Sequence, residues 1–210
     1  MAKLKSGING PISGKVGNVV GSSWNGIDYI KSSPVRKEPP TEGELNHRFN
    51  FKLVQRFVAP INEFLKVGFK AYSPTNYGAN AAKSLIFKNS LHRDGQNSSI
   101  DPSLVQMSYG SLGFSEPMEM ELTEEKVIQF TWDSHIGSEM RHKDQVMLLA
   151  YDPTTGHNKM NTSGQFRSNG SDSLDMKHLP AGTYHIYAAF VAEDRSRQSD
   201  SRYLGAVEID

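Results

Sequence analysis

Between residues 41 and about 93 of this chain the apolar side chains recur every third and fourth position, and from about residue 100 they recur every second. A helix repeats after 3.6 residues and a strand after two, so the chain holds two kinds of element in separate blocks. A helical block followed by strands with no helices between them points to an α+β fold, mainly β. In the helical block, Thr41 and Glu44 have the spacing of a capping box, in which hydroxyl and carboxylate satisfy orphan backbone donors. Leu45, Phe49, Leu53, Phe57 and Val58 then mark one apolar face. Pro60 predicts an end or a kink, after which Ile61, Phe64, Leu65 and Phe69 continue the stripe. A further helix is expected after Asn76, through ANAAKSLIFKNSL, until HRDGQNSS breaks it.

The strand block contains MEMEL, VIQFTW, QVMLLAY, TYHIYAAFV and YLGAVEI, separated by the turn-forming clusters DPTTGHN, SNGSD and LPAGT. Six to eight short strands without intervening helices predict an antiparallel sandwich of immunoglobulin or fibronectin type over residues 100–210. Trp132 suits the buried aromatic of such a core. LPAGTYHIYAAF reads as a turn feeding a long central strand, with YLGAVEI as its neighbour. No internal repeat of fixed period is present.

Residues 1–40 differ from both blocks, being rich in Gly, Ser and β-branched residues and ending at PVRKEPP, where Pro34, Pro39 and Pro40 mark a boundary. The glycines of GKVGNVVGSSWNGIDYIKSSP invite a phosphate-loop reading, which the spacing defeats. Gly14-Lys15 is followed by Val16 rather than a hydroxyl residue, Gly10 lies one position too close, and Gly14, Gly17 and Gly21 do not spell GxGxxG. Asn25-Gly26 between β-type runs is a strong hairpin signal. Alternation after that turn puts Ile27, Tyr29 and Lys31 on one face, with Asp28 and Ile30 on the other. Gly14, Gly17 and Gly21 are read as bulges or points of close backbone approach. A hairpin alone is marginal, so Val16, Val19, Val20, Trp24, Ile27 and Tyr29 are the expected interface residues. The expected organisation is thus a Gly-rich arm (1–40), a helical segment (41–95) and a sandwich domain (100–210).

Composition removes several functions. The chain has no cysteine, which excludes disulfides, zinc-thiolate sites and thiol nucleophiles. Lys plus Arg and Asp plus Glu number 23 each, so there is no broad positive field for nucleic acid. The first 40 residues are nevertheless basic: Lys3, Lys5, Lys15, Lys31, Arg36 and Lys37 face only Asp28 and Glu38. No window approaches 18 uninterrupted apolar residues, and the N-terminus lacks the apolar core of a secretory signal, so no membrane span and no signal peptide are expected. A cytoplasmic or particle-associated protein follows.

Asp133, His135, Glu139, His142 and Asp144 cluster in WDSHIGSEMRHKD, where imidazole and carboxylate could hold a divalent metal. They lack helical i, i+4 pairing, and a solvated loop is the expectation. His157, His178 and His185 are scattered, and core or surface roles are expected of them. No GxSxG elbow appears among the serines. Asp194, Arg195, Asp200 and Arg202 are expected to form surface ion pairs across the last hairpin. Phe49, Phe51, Phe57, Phe64 and Phe69 lie on the helical stripe and are read as core. Trp24, next to a tight turn, is the aromatic most suited to an interface.

The segments SGKVGNVVGSSWNG, LKVGFKAY, DQVMLLAYDP and SDSRYLG together resemble an uncharacterised family of about this length from Bacteroidota, known as a domain of unknown function. The resemblance covers nearly the whole chain and implies no activity, cofactor or site residue.

These readings converge on a non-enzymatic structural or assembly protein without catalytic, cofactor or metal residues. It would associate with a second copy or another protein through its N-terminal strands, in a phage-derived or secretion-related particle. The alternative is a monomeric carbohydrate- or protein-binding module using loops 133–144 and 152–164, with a glycan as ligand. A metal-dependent hydrolase centred on loop 133–144 ranks third.

Overall fold

The computed structural model describes residues 3–4, 10–24, 26–33, 38–73, 75 and 78–210. Asn25, Pro34, Asn76 and the basic residues Lys5, Arg36 and Lys37 lie outside the described residues. The fold is α+β and mainly β, and it divides into two compact units, residues 1–45 and 46–210.

The first unit is an antiparallel sheet in the order β1 (Lys3–Leu4), β2 (Ile12–Val16), β3 (Val19–Trp24), β4 (Ile27–Ser32). It is larger than the hairpin expected from sequence, because Gly17 (φ +54°) and Asn18 make a second tight turn between β2 and β3. Gly26 has φ +80° at the turn between β3 and β4. Gly21 is a place of close approach, as expected, since a Cβ there would collide with the Ile12 carbonyl.

The second unit starts within helix α1 (Glu42–Val58). The predicted capping box forms: Thr41 N–H donates to Glu44 Oε2 (2.9 Å) and Glu44 N–H to Thr41 Oγ1 (3.3 Å). At Pro60 the helix tightens into a 3₁₀ turn, Ala59–Ile61, and continues as α2 (Asn62–Gly68), because proline cannot donate in the α ladder. Helix α3 spans Ala79–Asn89. The buried side of α1 is Asn50, Val54, Phe57 and Val58, continued by Ile61, Phe64, Leu65 and Phe69. This corrects the apolar stripe: Leu45 and Phe51 are exposed. Phe51 borders the buried face, three residues before Val54, and stacks at the surface on Phe87 (6.3 Å, 24°), which packs against the same core.

Two short strands, β5 (Leu91–His92) and β6 (Ser99–Ile100), lead to the sandwich. Its strands are β7 (Met118–Leu122), β8 (Val127–Trp132), β9 (Gln145–Tyr151), β10 (Asn158–Asn161), β11 (Ser171–Asp175), β12 (Gly182–Val191) and β13 (Arg202–Ile209). They form a four-stranded sheet, β10-β9-β12-β13, and a three-stranded sheet, β11-β8-β7, all antiparallel. Between the sheets lie Ile128, Phe130 and Trp132 from one side, with Val146, Leu148, Ile186, Ala188 and Phe190 from the other. Trp132 is buried there as predicted, its indole N–H donating to Arg167 O (2.9 Å).

The opposite face of β9 and β12 is also covered. Met147, Leu149, Tyr151, Tyr187, Ala189 and Val191 share a second core with the helices. The body therefore has three layers, and its middle sheet is buried on both sides. That explains why QVMLLAY is continuously apolar where a half-exposed strand would alternate.

Candidate interaction surface

Cross-strand partners share a face of the sheet, so the register of β3 with β4 and β2 sorts the expected interface residues. Val20, Trp24, Ile27 and Tyr29 lie on one face, with Lys15 and Lys31. Val16 and Val19 lie on the other, joined by Ile30, which the sequence reading put opposite Tyr29 without including it in the interface. The six residues thus form two patches, one on each side of a thin sheet. Trp24 is 62% exposed, Ile27 65% and Ile30 59%. Gly21 is the only buried residue among the described residues 10–45. Lys31 Nζ lies 5.8 Å from the Tyr29 ring centroid, a cation–π contact on the Trp24 face.

The polar clusters of the body are tied into structure. In loop 133–144, Asp133 accepts from the His135 N–H (2.8 Å) and Glu139 pairs with Arg197 (2.5 Å). The expectation of a solvated loop fails at Asp144, which is 1% exposed and lies 3.3 Å from the equally buried Arg167 guanidinium. Arg167 also donates to Ser115 Oγ (2.6 Å) and Gly113 O (2.8 Å), and it stacks over Phe190 at 3.9 Å. Desolvation lowers the Arg167 pKa, against the opposing effect of Asp144. No spacing rule links residues 144 and 167, so sequence gave no signal for this pair. Among the described residues no group of three or more His, Cys, Asp or Glu could hold a metal ion.

The ion pairs expected across the last hairpin do not form among themselves. Arg202 pairs with Glu116 (2.9 Å), and Arg195 donates to Thr162 O and Gln145 Oε1. Asp194 accepts from Ser196, and Asp200 from the Gly110 N–H. Arg195, Asp200 and Arg202 each meet a segment distant in sequence, while Asp194 closes a local turn. His185 lies half-buried with Nδ1 2.9 Å from the Tyr203 hydroxyl. Desolvation holds its pKa below the ordinary value, and Asp152 and Asp101 oppose that only in part. The expected loop 152–164 is divided by β10 (Asn158–Asn161), and in the turn before it Asp152 accepts from the Thr154 and Thr155 backbones and the Thr155 hydroxyl.

Sheet layers and surface together define a mainly β protein: a three-layered body preceded by a small sheet in which Gly21 alone is buried among the described residues 10–45. The chain belongs to a family of unknown function (DUF6266), whose model matches residues 11–205. No curated protein and no solved structure matches it.

Proposed function

We propose that this protein is a non-enzymatic structural or assembly component whose N-terminal sheet associates with another protein chain. The observation that carries this is the exposure of Trp24, Ile27 and Ile30 in a sheet where Gly21 alone is buried among the described residues 10–45. Apolar area left in water forgoes about 25 cal/mol per Å², and such side chains gathered on a thin sheet suit a surface that is covered on association. Free strand edges offer the backbone a means of joining a second sheet by β-augmentation. The sandwich, read as immunoglobulin- or fibronectin-like, would present its loops outward. A phage-derived or secretion-related particle of a Bacteroidota source, within the cytoplasm or leaving it, is the setting this reading favours.

Light scattering after size exclusion tests it on the full chain over a range of concentrations. The wild type should associate, and Trp24→Ser with Ile27→Ser should return it to a monomer with unchanged far-UV dichroism. A wild type that stays monomeric at high concentration removes the assembly reading. Binding of the monomer to a glycan array, lost on mutation of loop 133–144 or 152–164, would put a carbohydrate-binding module in its place.

A further inference from the structure

The charge of the chain is balanced only in total. Residues 1–40 carry six basic and two acidic residues, and with 23 of each in the whole chain, residues 41–210 carry 17 basic against 21 acidic. The acidic excess has a local concentration. EPMEMELTEEK places Glu116, Glu119, Glu121, Glu124 and Glu125 within ten residues that include all of β7.

Strand β7 is the edge of the three-stranded sheet, and its outer side pairs with no strand among the described residues. Glu119 and Glu121 lie on its solvent face, opposite Thr131 and Gln129 of β8, while Met118 and Met120 turn toward the sandwich core. Glu116 and Glu125 are paired with Arg202 and Lys177, but Glu119, Glu121 and Glu124 have no ion-pair partner among the described residues. Beside the start of β7 is an open depression of about 520 Å³, lined by Phe114, Pro117, Met118, Arg202 and Leu204. Two such edges repel one another, which protects the sheet from pairing with its own kind and favours a strand that brings a cation to the Glu119–Glu121 face.

Resting on the assembly reading above, we propose that this edge is the receptor for β4 of a second copy, giving a head-to-tail association. Strand β4 is the edge of the N-terminal sheet, with no strand on its outer side among the described residues, and all six of its residues are exposed. Its alternation fits: in a parallel alignment with Lys31 beside Glu121, Tyr29 falls beside Glu119 and Ile30 beside Met120. Asp28 then comes beside Met118, at the depression that holds Arg202. Moving the register by one residue would set Lys31 against Met120 or Leu122 and Ile30 against a glutamate, so the pattern selects one class of registers. A contact between two different surfaces does not close on itself by symmetry, and it gives rings or filaments according to the rotation between copies.

Charge reversal tests this in the full chain, again by light scattering, with thermal unfolding to show that each variant folds. Lys31→Glu alone and Glu121→Lys alone should each weaken association roughly tenfold, since each sets like charges across the junction. The double variant should recover most of the loss. Wild-type association should weaken from 50 to 500 mM salt. If neither single variant changes association while Trp24→Ser with Ile27→Ser abolishes it, the β7 receptor is wrong and the assembly reading stands. If both single variants weaken it and the double does not recover, Lys31 and Glu121 do not meet, and this register falls. A monomer with β4 amides protected from hydrogen exchange would mean that the occupant is the chain's own arm, which overturns the second-copy assignment.

Discussion

Strands β4 and β9 have nearly the same length, six residues and seven, and opposite surroundings. Every residue of IDYIKS is exposed, whereas in QVMLLAY all but Gln145 are buried. Strand β9 is hydrogen-bonded along both edges and β4 along one, so part of the β4 ladder is left to water. The larger difference is cover. Strand β9 lies between a helical layer and a second sheet, and burying a Val, Leu or Met there contributes about 1.5–3 kcal/mol. Strand β4 gains almost nothing from burial, and a sheet held by its ladder and turns alone is marginal in water. The N-terminal sheet thus depends on its ladder and turns, and the body on its two cores.

The contrast can be broken most severely inside the body. Arg167→Ala leaves the Asp144 carboxylate buried without its cation and should cost about 3–5 kcal/mol, read as a lower urea midpoint. Replacing both, as Arg167→Met with Asp144→Leu, should cost less than the single change, because no charge is then stranded. A single variant within 1 kcal/mol of wild type would mean that this buried pair does not hold the loops to the core.

A smaller effect is expected in the N-terminal sheet. Gly21→Ala drives a methyl group into the Ile12 carbonyl and should loosen the pairing of β2 with β3 by about 1–3 kcal/mol. Amide exchange in Ile12–Trp24 should quicken while the urea midpoint of the body stays fixed. A shift of that midpoint would show that the two units unfold as one.

The smallest effect is one of pH. Burial holds His185 neutral in the folded protein, so its pKa lies below the ordinary 6.5. Below that pH the unfolded chain binds the proton more readily, so stability is full above 6.5 and declines as the solution is acidified. The unfolding temperature should fall between pH 7 and pH 5, and His185→Gln should flatten the slope. An equal slope in the variant would assign the acid sensitivity to other groups.

Much of this architecture was legible in the chain because it depends on neighbours in sequence. The capping box at Thr41, the interruption of the α-helix at Pro60 and the burial of Trp132 each follow from local spacing or a strand's own alternation. The interface residues were legible one by one. Their division into two faces was not, since it needed the register of β3 against β4 and a second turn at Gly17. The expected stripe on α1 failed for a related reason. Its apolar residues surround more than one face, and only the packing of α1 on the sheet and on Phe87 chose which face was covered.

By itself the sequence determined the order of the elements, their type and the absence of thiol chemistry, because period, caps, turns and composition act within a few residues. Only the tertiary structure decided that the four-stranded sheet is covered twice, that Arg167 meets Asp144, and that β4 and β7 are left as edges. Each of those depends on which distant segments come together. Loop closure over long separations costs entropy that increases only slowly with length, so sequence distance imposes little and leaves the choice to packing.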